Sequence, residues 1–437
     1  MSDALLGTLL IGLLLVCFAA GFEIAVALGL VGLVGLVYLK GWAVGLGVVG
    51  SVAWSNATSF SFVAVPLFIF MSAVLLHSGI GRLLYTAVAR WVAFLPGGLA
   101  VASVVSCAIF AAVSGSSVAT AATIGMIAIP EMERRGYHRP LILGSLAAGG
   151  TLVIHIPPSI PMIIYGVMTE TSVGKLYMAG VVPGILLTVL FVGYVMLYAT
   201  LWPRAAPPAD DDRVPLRDKL RALPEVAPVA LLILVVLGAM YLGVVTPTEA
   251  AALGAAVSLV LAVSSGRFRW AHMLVAFHET VRTTSMVMLI IIFASTFSHV
   301  IALIGTPKAL LGSVVGLGLP TWAVFALVFV ILLVIAYALE ELSVMIIILP
   351  ILFPLVTGLV FDPIWFGIVM VIWLEIGFIT PPVGLNLFVI QGLTRGATMR
   401  DITVGTTPFV VLMAITVVLL FFLPELALWL PRQMAGR

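Results

Sequence analysis

Long, nearly unbroken apolar runs separated by short polar joints make up most of this chain. They fall at 4–20, 23–39, 62–77, 97–112, 116–130, 141–156, 159–168, 176–201, 225–243, 248–263, 284–304, 319–338, 342–356, 364–379, 382–394 and 404–423. They are continuous rather than alternating, which excludes the strands of a membrane β-barrel and predicts helices. A helix needs about 20 apolar residues to cross a bilayer, and several runs are shorter. The short ones come in pairs. Segments 97–112 and 116–130 flank Ser114-Gly115-Ser116-Ser117, and 319–338 and 342–356 flank Glu340-Glu341. Each pair reads as a re-entrant hairpin that turns on polar residues. Irregular backbone at that depth is tolerated only inside protein or beside a cavity.

Two further runs are cut by a double proline. The first break is Gly149-Gly150-Thr151 through Ile156-Pro157-Pro158-Ser159, and the second is Gly377-Phe378-Ile379-Thr380-Pro381-Pro382-Val383-Gly384-Leu385-Asn386. Proline cannot donate a backbone hydrogen bond and disrupts the helix around it. The freed carbonyls must then be met by protein, water or a ligand. Matched broken segments in two halves of a chain point to a midplane binding site in a secondary transporter.

The halves resemble each other. Glu23 pairs with Glu249, Gly29 with Gly254, Gly79 with Gly305, Pro130 with Pro350 and Pro158 with Pro382, all 220 to 226 residues apart. Residues 1–201 and 225–437 read as two repeats, each with five crossings, one hairpin and one broken helix. The odd number of crossings inverts the second repeat relative to the first. A proline- and charge-rich linker, 202–224, joins them. With the N-terminus outside and the linker in the cytoplasm, inner regions hold 15 Lys and Arg and outer regions 5, as the positive-inside rule requires. Amphipathic stretches Arg82–Leu95 and Pro307–Leu319 precede the hairpins and read as interfacial braces or surface connectors.

Composition agrees with this reading. Of 437 residues, 63% are hydrophobic and only 9% charged, too few charges for a soluble globular surface. Cys17 and Cys107 lie in apolar runs, so no disulfide framework or metal site is expected. No basic segment precedes the first apolar run, which therefore reads as a span rather than a cleaved leader. The chain lacks a phosphate-binding Gly-Lys-Ser/Thr loop, so it is not expected to hydrolyse ATP itself. Nothing points to nucleic acid.

The candidate chemistry lies at the turns and breaks. Ser114, Gly115, Ser116, Ser117, Thr120 and Thr123 offer carbonyl and hydroxyl oxygens to a cation, and the following half-helix offers N–H groups to an anion. The same small residues also serve close helix packing. Thr151 and Ser159 surround the first break, Thr380 and Asn386 the second. Glu340 and Glu341 sit at the second hairpin turn, where a carboxylate binds a cation, a proton or a substrate group, pairs with a neighbouring cation, or caps a helix. Glu375 is a weaker candidate of the same kind. Glu23 and Glu249 read as helix N-terminal charges. His155 and His299 read as packed histidines. Ser116 with His155 leaves an intramembrane serine hydrolase as an alternative, and a channel as another.

At these residues the chain resembles the large membrane subunit of tripartite ATP-independent periplasmic (TRAP) transporters. The matching stretches are Pro66-Leu67-Phe68-Ile69, Ser114 through Thr120, Pro130-Glu131-Met132 with Gly136-Tyr137, Gly150-Thr151 with Ile156 through Ser159, and Gly377 with Thr380 through Phe388. Val153 and His155 depart from the family's glycine and aliphatic residue, and Glu340 from its common aspartate. The resemblance implies an all-α, inverted-repeat elevator in the bacterial inner membrane that imports an organic acid (a dicarboxylate, sialic acid or similar carboxylate) with sodium as coupling ion and no other cofactor. It implies sodium at Ser114, Gly115, Ser116, Ser117, Gly150, Thr151, Gly377, Thr380, Pro381 and Pro382. It implies substrate near Thr120, Pro157, Pro158, Ser159, Glu340, Glu341, Gly384 and Asn386. The partners implied are a small membrane subunit, expected as a separate chain, and a periplasmic substrate-binding protein. The alternative is a stand-alone sodium/anion symporter.

Overall fold

The computed structural model describes residues 3–207, 215–266, 268–316, 318–336, 341–359, 361–382 and 384–435. No strand occurs among the described residues. The first half holds α1 (Asp3–Ala19), α2 (Ile24–Lys40), α3 (Trp42–Ala57), α4 (Ala64–His77), α5 (Ile80–Val92), α6 (Gly98–Ser114), α7 (Ser117–Arg134), α8 (Arg139–Thr151), α9 (Ile160–Met168) and α10 (Val173–Leu201). The second holds α11 (Leu216–Tyr241), α12 (Pro247–Ser264), α13 (Trp270–Ile304), α14 (Thr306–Gly316), α15 (Thr321–Ala336), α16 (Glu341–Gly358), α17 (Pro363–Phe378), α18 (Leu385–Leu393), α19 (Met399–Phe422) and α20 (Glu425–Ala435). Short 3-10 turns cover Phe60–Val63, Leu152–Ile154 and Pro203–Ala205.

Seven segments among the described residues are long and apolar enough to cross a membrane: Phe60–His77, Val173–Leu201, Leu216–Tyr241, Pro247–Ser264, Trp270–Ile304, Glu341–Gly358 and Met399–Phe422. The outer faces of the helices leave Leu234, Val260 and Val334 more than half exposed, and Trp54, Trp270, Trp322 and Trp429 likewise. Water would penalise that surface and lipid does not; tryptophan favours the membrane–water boundary. The chain is a multi-pass membrane protein.

The order of elements in the first half recurs in the second, and so do the contacts. α2 packs along α13, and α12 along α4; α8 packs along α19, and α10 along α17. Partners are exchanged at the centre. Helix α7 touches α18 from the other half, and α16 touches α9. α5 and α14 lie against α7 and α16 in turn. Helices α8 and α17 are buried along nearly their whole length, so the two breaks that end them start from the core.

Four elements differ from the sequence reading. Helix α3 was not expected, because Gly45, Gly47, Gly50, Ser51, Ser55 and Asn56 dilute its apolar pattern; packing on α2 and α13 holds it. Helix α13 runs 35 residues, well beyond 284–304. It rises about 52 Å against a hydrocarbon core of ~30 Å, so its first turns are polar. It takes the place that α3, the Phe60–Val63 turn and α4 fill together in the first half. Helix α11 begins at Leu216, inside the stretch read as linker, despite Pro224 and Pro228. Side chains of α5 dock it: Trp91 Nε1 donates to the Lys219 carbonyl at 3.0 Å, and Arg90 pairs with Glu225 at 3.2 Å. The Lys219 ammonium also lies 4.5 Å from the Phe94 ring centre. α20 is likewise additional to the expected runs.

Candidate functional site

Helices α6 and α7 meet at a two-residue turn. Gly115 ends α6 with φ +60, a left-handed conformation that side-chain-bearing residues rarely adopt. Ser116 then caps α7, its hydroxyl accepting from the Ala119 N–H at 3.4 Å. The Ser114 hydroxyl donates to the Ser116 carbonyl at 3.2 Å. Ser72 of α4 donates to the Val113 carbonyl at 3.0 Å, fastening this turn from outside. Thr123 bonds back to Ala119 and serves its own helix, whereas the hydroxyl of Thr120 is fully buried and has no hydrogen-bond partner.

The first break lies against this turn. A methyl group on Gly115 would sit 3.7 Å from the Pro158 carbonyl oxygen. Ser159 caps α9, accepting from the Met162 N–H at 3.5 Å, and its carbonyl accepts from the Tyr177 hydroxyl at 3.3 Å. Pro157, Pro158 and Ser159 are buried. The Thr151 hydroxyl donates to the Ala148 carbonyl at 2.6 Å, inside its own helix. Gly150 lets α8 lie close against α7. A Cβ there would lie 2.9 Å from the Ser117 carbonyl oxygen and 3.2 Å from Asn386 Nδ2.

The second break is more open. Pro382 is exposed, and Pro381 and Thr380 are half-buried. Both double prolines carry a cis peptide bond. The Thr380 hydroxyl donates to Ile376 at 2.6 Å, and Gly377 lies against Ala336 at the end of α15. Gly384 caps α18. Glu341 opens α16 and is buried; Glu340 lies outside the described residues.

Ser117 and Gly150, both expected at sodium, and Asn386, expected at substrate, are brought together. Asn386 Nδ2 donates to the Ser117 hydroxyl at 2.7 Å and lies 3.2 Å from the Ala147 carbonyl of α8. The Ser117 hydroxyl donates to Glu375 Oε2 at 3.3 Å. One hydroxyl therefore joins α7, α17 and α18, and through Asn386 also α8. Glu375, the weaker acid on sequence grounds, is fully buried at this hub. Its signal was a lone acid in the otherwise apolar Pro363–Phe378 helix. Its partner, 258 positions away, left none.

The histidines divide. His155 is fully buried, with neither ring nitrogen hydrogen-bonded. Its backbone is pressed against Gly180 and Gly184 of α10. His299 is exposed, which corrects the packed reading. With Asn56, Thr169, Ser295 and Ser298 it lines a cavity of about 490 Å³ between α13 and the α9–α16 pair.

Comparison with known proteins identifies the family. The model described as "Tripartite ATP-independent periplasmic transporter, DctM component" matches residues 11–426. The C4-dicarboxylate TRAP transporter large permease protein DctM of Pseudomonas aeruginosa is 38% identical over 382 residues, covering 86% of this chain and 88% of that one. The isethionate TRAP transporter permease protein DctMQ of Oleidesulfovibrio alaskensis is 32% identical over 426 residues, covering 96% of this chain and 65% of that one. Among solved structures, that of the Alcanivorax borkumensis YdaH transporter shares the fold, with a TM-score of 0.59, 16% identity and 89% of each chain covered. A match over nearly the whole chain, with a fold built on two broken helices, makes this protein a member of the DctM component family of the tripartite ATP-independent periplasmic transporters.

Proposed function

We propose that this chain is the large permease of a tripartite importer that moves a small organic acid into the cell, driven by sodium. The hub at Ser117 is the observation that carries the reading. It ties a hairpin tip to both broken helices, so α7, α8, α17 and α18 form one body able to slide as a unit against α2–α4 and α11–α13. Sodium is assigned to the turn at Ser114–Ser117 with Gly150 and Thr151, and to Gly377 with Thr380–Pro382. The substrate carboxylate is assigned to the space between the hairpin tips, near Thr120, Pro157–Ser159, Glu340, Glu341 and Gly384. The helix N-termini capped by Ser116 and Ser159 offer backbone N–H groups of the kind that bind an anion.

The family's relatives include a C4-dicarboxylate and an isethionate permease, both for small anions. Another relative, of Ruegeria pomeroyi, is an ectoine/5-hydroxyectoine permease, so the relatives fit a small organic solute without choosing it. The N-terminus is assigned to the outside and the linker to the cytoplasm of the inner membrane by the distribution of Lys and Arg. The small membrane subunit is a partner, separate or fused. Uptake into proteoliposomes, with the periplasmic binding protein added or left out, tests the tripartite part. Uptake that needs the binding protein is expected; uptake without it makes the chain a stand-alone symporter.

A further inference from the structure

Glu375 raises a question that packing does not answer. It is fully buried in α17 at 0% exposure and makes one hydrogen bond, from Ser117 to Oε2. Its Oε1 has no partner. No Lys, Arg or His is paired with it among the described residues, and the charged group that faces it from the helices around α17 is another acid, Glu341 of α16. An uncompensated carboxylate at such a position costs several kcal/mol. A structural role would be served as well by a neutral residue.

Two neighbours are incomplete in the same way. Asn386 is fully buried, and its Nδ2 spends both contacts on Ser117 and the Ala147 carbonyl. The Ala147 carbonyl accepts only, which fixes which end of the amide is nitrogen. The Asn386 Oδ1 acceptor is left without a donor. Thr120, one helical turn beyond Ser117, has a buried, unpartnered hydroxyl. Given the two bonds to Ser117 Oγ, covalent geometry keeps Glu375 Oε1 and Asn386 Oδ1 within about 6 Å of that hydroxyl. Buried polar atoms are almost always satisfied. Here two buried acceptors, each within about 6 Å of the Ser117 hydroxyl, lack a complement, and a small cation is one group that supplies it.

We propose that Glu375, Asn386 and Ser117 form a monovalent-cation site, with the Glu375 carboxylate as counter-charge and the Asn386 amide and Ser117 hydroxyl as neutral oxygen ligands. The inference deepens the sodium reading and rests on it: it adds Glu375 and moves Asn386 from substrate to ion. Because the site takes one ligand from each of α7, α17 and α18, its ion would hold the first hairpin to the second broken helix. Glu375→Gln keeps the shape and removes the charge.

The test is equilibrium binding of ²²Na⁺ to the purified full chain in detergent, with lithium, potassium and choline chlorides as competitors at constant ionic strength. The proposal expects Glu375→Gln to bind one sodium fewer per protein than the wild type, while remaining monodisperse and as heat-stable in choline chloride. Asn386→Ala, the second variant, is expected to raise the half-saturating sodium concentration about tenfold, equivalent to ~1.4 kcal/mol. An unchanged sodium count in Glu375→Gln, or an unchanged half-saturation in Asn386→Ala should Glu375→Gln not fold, overturns the site alone. A wild type that binds no sodium overturns the sodium reading and this site together.

Discussion

The hydroxyl of Ser117, at the start of α7, donates to the carboxylate of Glu375 in α17 at 3.3 Å, joining the two halves of the chain across 258 positions. Ser117 also accepts from Asn386 at 2.7 Å, so it is both donor and acceptor at the centre of the bundle. Ser117→Ala leaves a buried carboxylate and a buried amide each one bond short. A loss of about 1–3 kcal/mol is expected, because buried polar groups are left unsatisfied. A lower thermal midpoint of the purified chain would record it. An unchanged midpoint would mean that the hub contributes nothing.

Gly150 tests how tightly the same point is closed. Gly150→Ala places a methyl group 2.9 Å from the Ser117 carbonyl oxygen and 2.9 Å from Ala121 Cβ. Neither neighbour is the end of a flexible side chain, so overpacking of about 1–3 kcal/mol follows. Uptake should fall about tenfold, the equivalent of ~1.4 kcal/mol in a barrier. Gly47→Ala is the control, since nothing lies within 4 Å of that position in α3. Equal losses for the two variants would remove the special status of Gly150.

At the second break, Thr380→Ala removes an oxygen beside Pro381. The hydroxyl donates to Ile376 at 2.6 Å, which leaves lone pairs free to face an ion. The half-saturating sodium concentration for uptake should rise. An unaltered sodium response would assign the hydroxyl to its own helix only. By the same logic Glu340→Gln should reduce uptake more than Glu23→Gln, because Glu23 only opens α2.

Cysteine labelling checks the orientation. Both native cysteines, Cys17 and Cys107, are buried and contribute little background. Asp211→Cys should react with an impermeant thiol reagent from the cytoplasmic side only. Reaction from the periplasmic side would invert the whole assignment.

Much of this architecture was legible in the sequence because its signals are local. The double prolines at 157–158 and 381–382 interrupt helices wherever they occur in apolar sequence. The Ser114–Ser117 turn sits between two runs too short to span, and α6 and α7 flank it. Other features depend on tertiary packing and left no local mark. Glycine- and serine-rich α3 is helical because α2 and α13 cover it, and the first turns of α11 because α5 docks them. The crossing of α7 onto α18 was invisible for the same reason. It turned Asn386, read as a substrate residue, into a partner of Ser117. It also raised Glu375 from a minor candidate to the buried carboxyl at the hub.

Sodium-driven movement of an organic anion is the central claim, and its most direct test is uptake under an imposed ion gradient. Proteoliposomes holding this chain and its small membrane subunit would receive the binding protein and a panel of labelled dicarboxylates, sialic acid and small sulfonates. An inward sodium gradient should drive accumulation of one of them, and collapse of that gradient with a sodium ionophore should abolish it. Accumulation that persists after the collapse, or follows a proton gradient alone, would contradict the account.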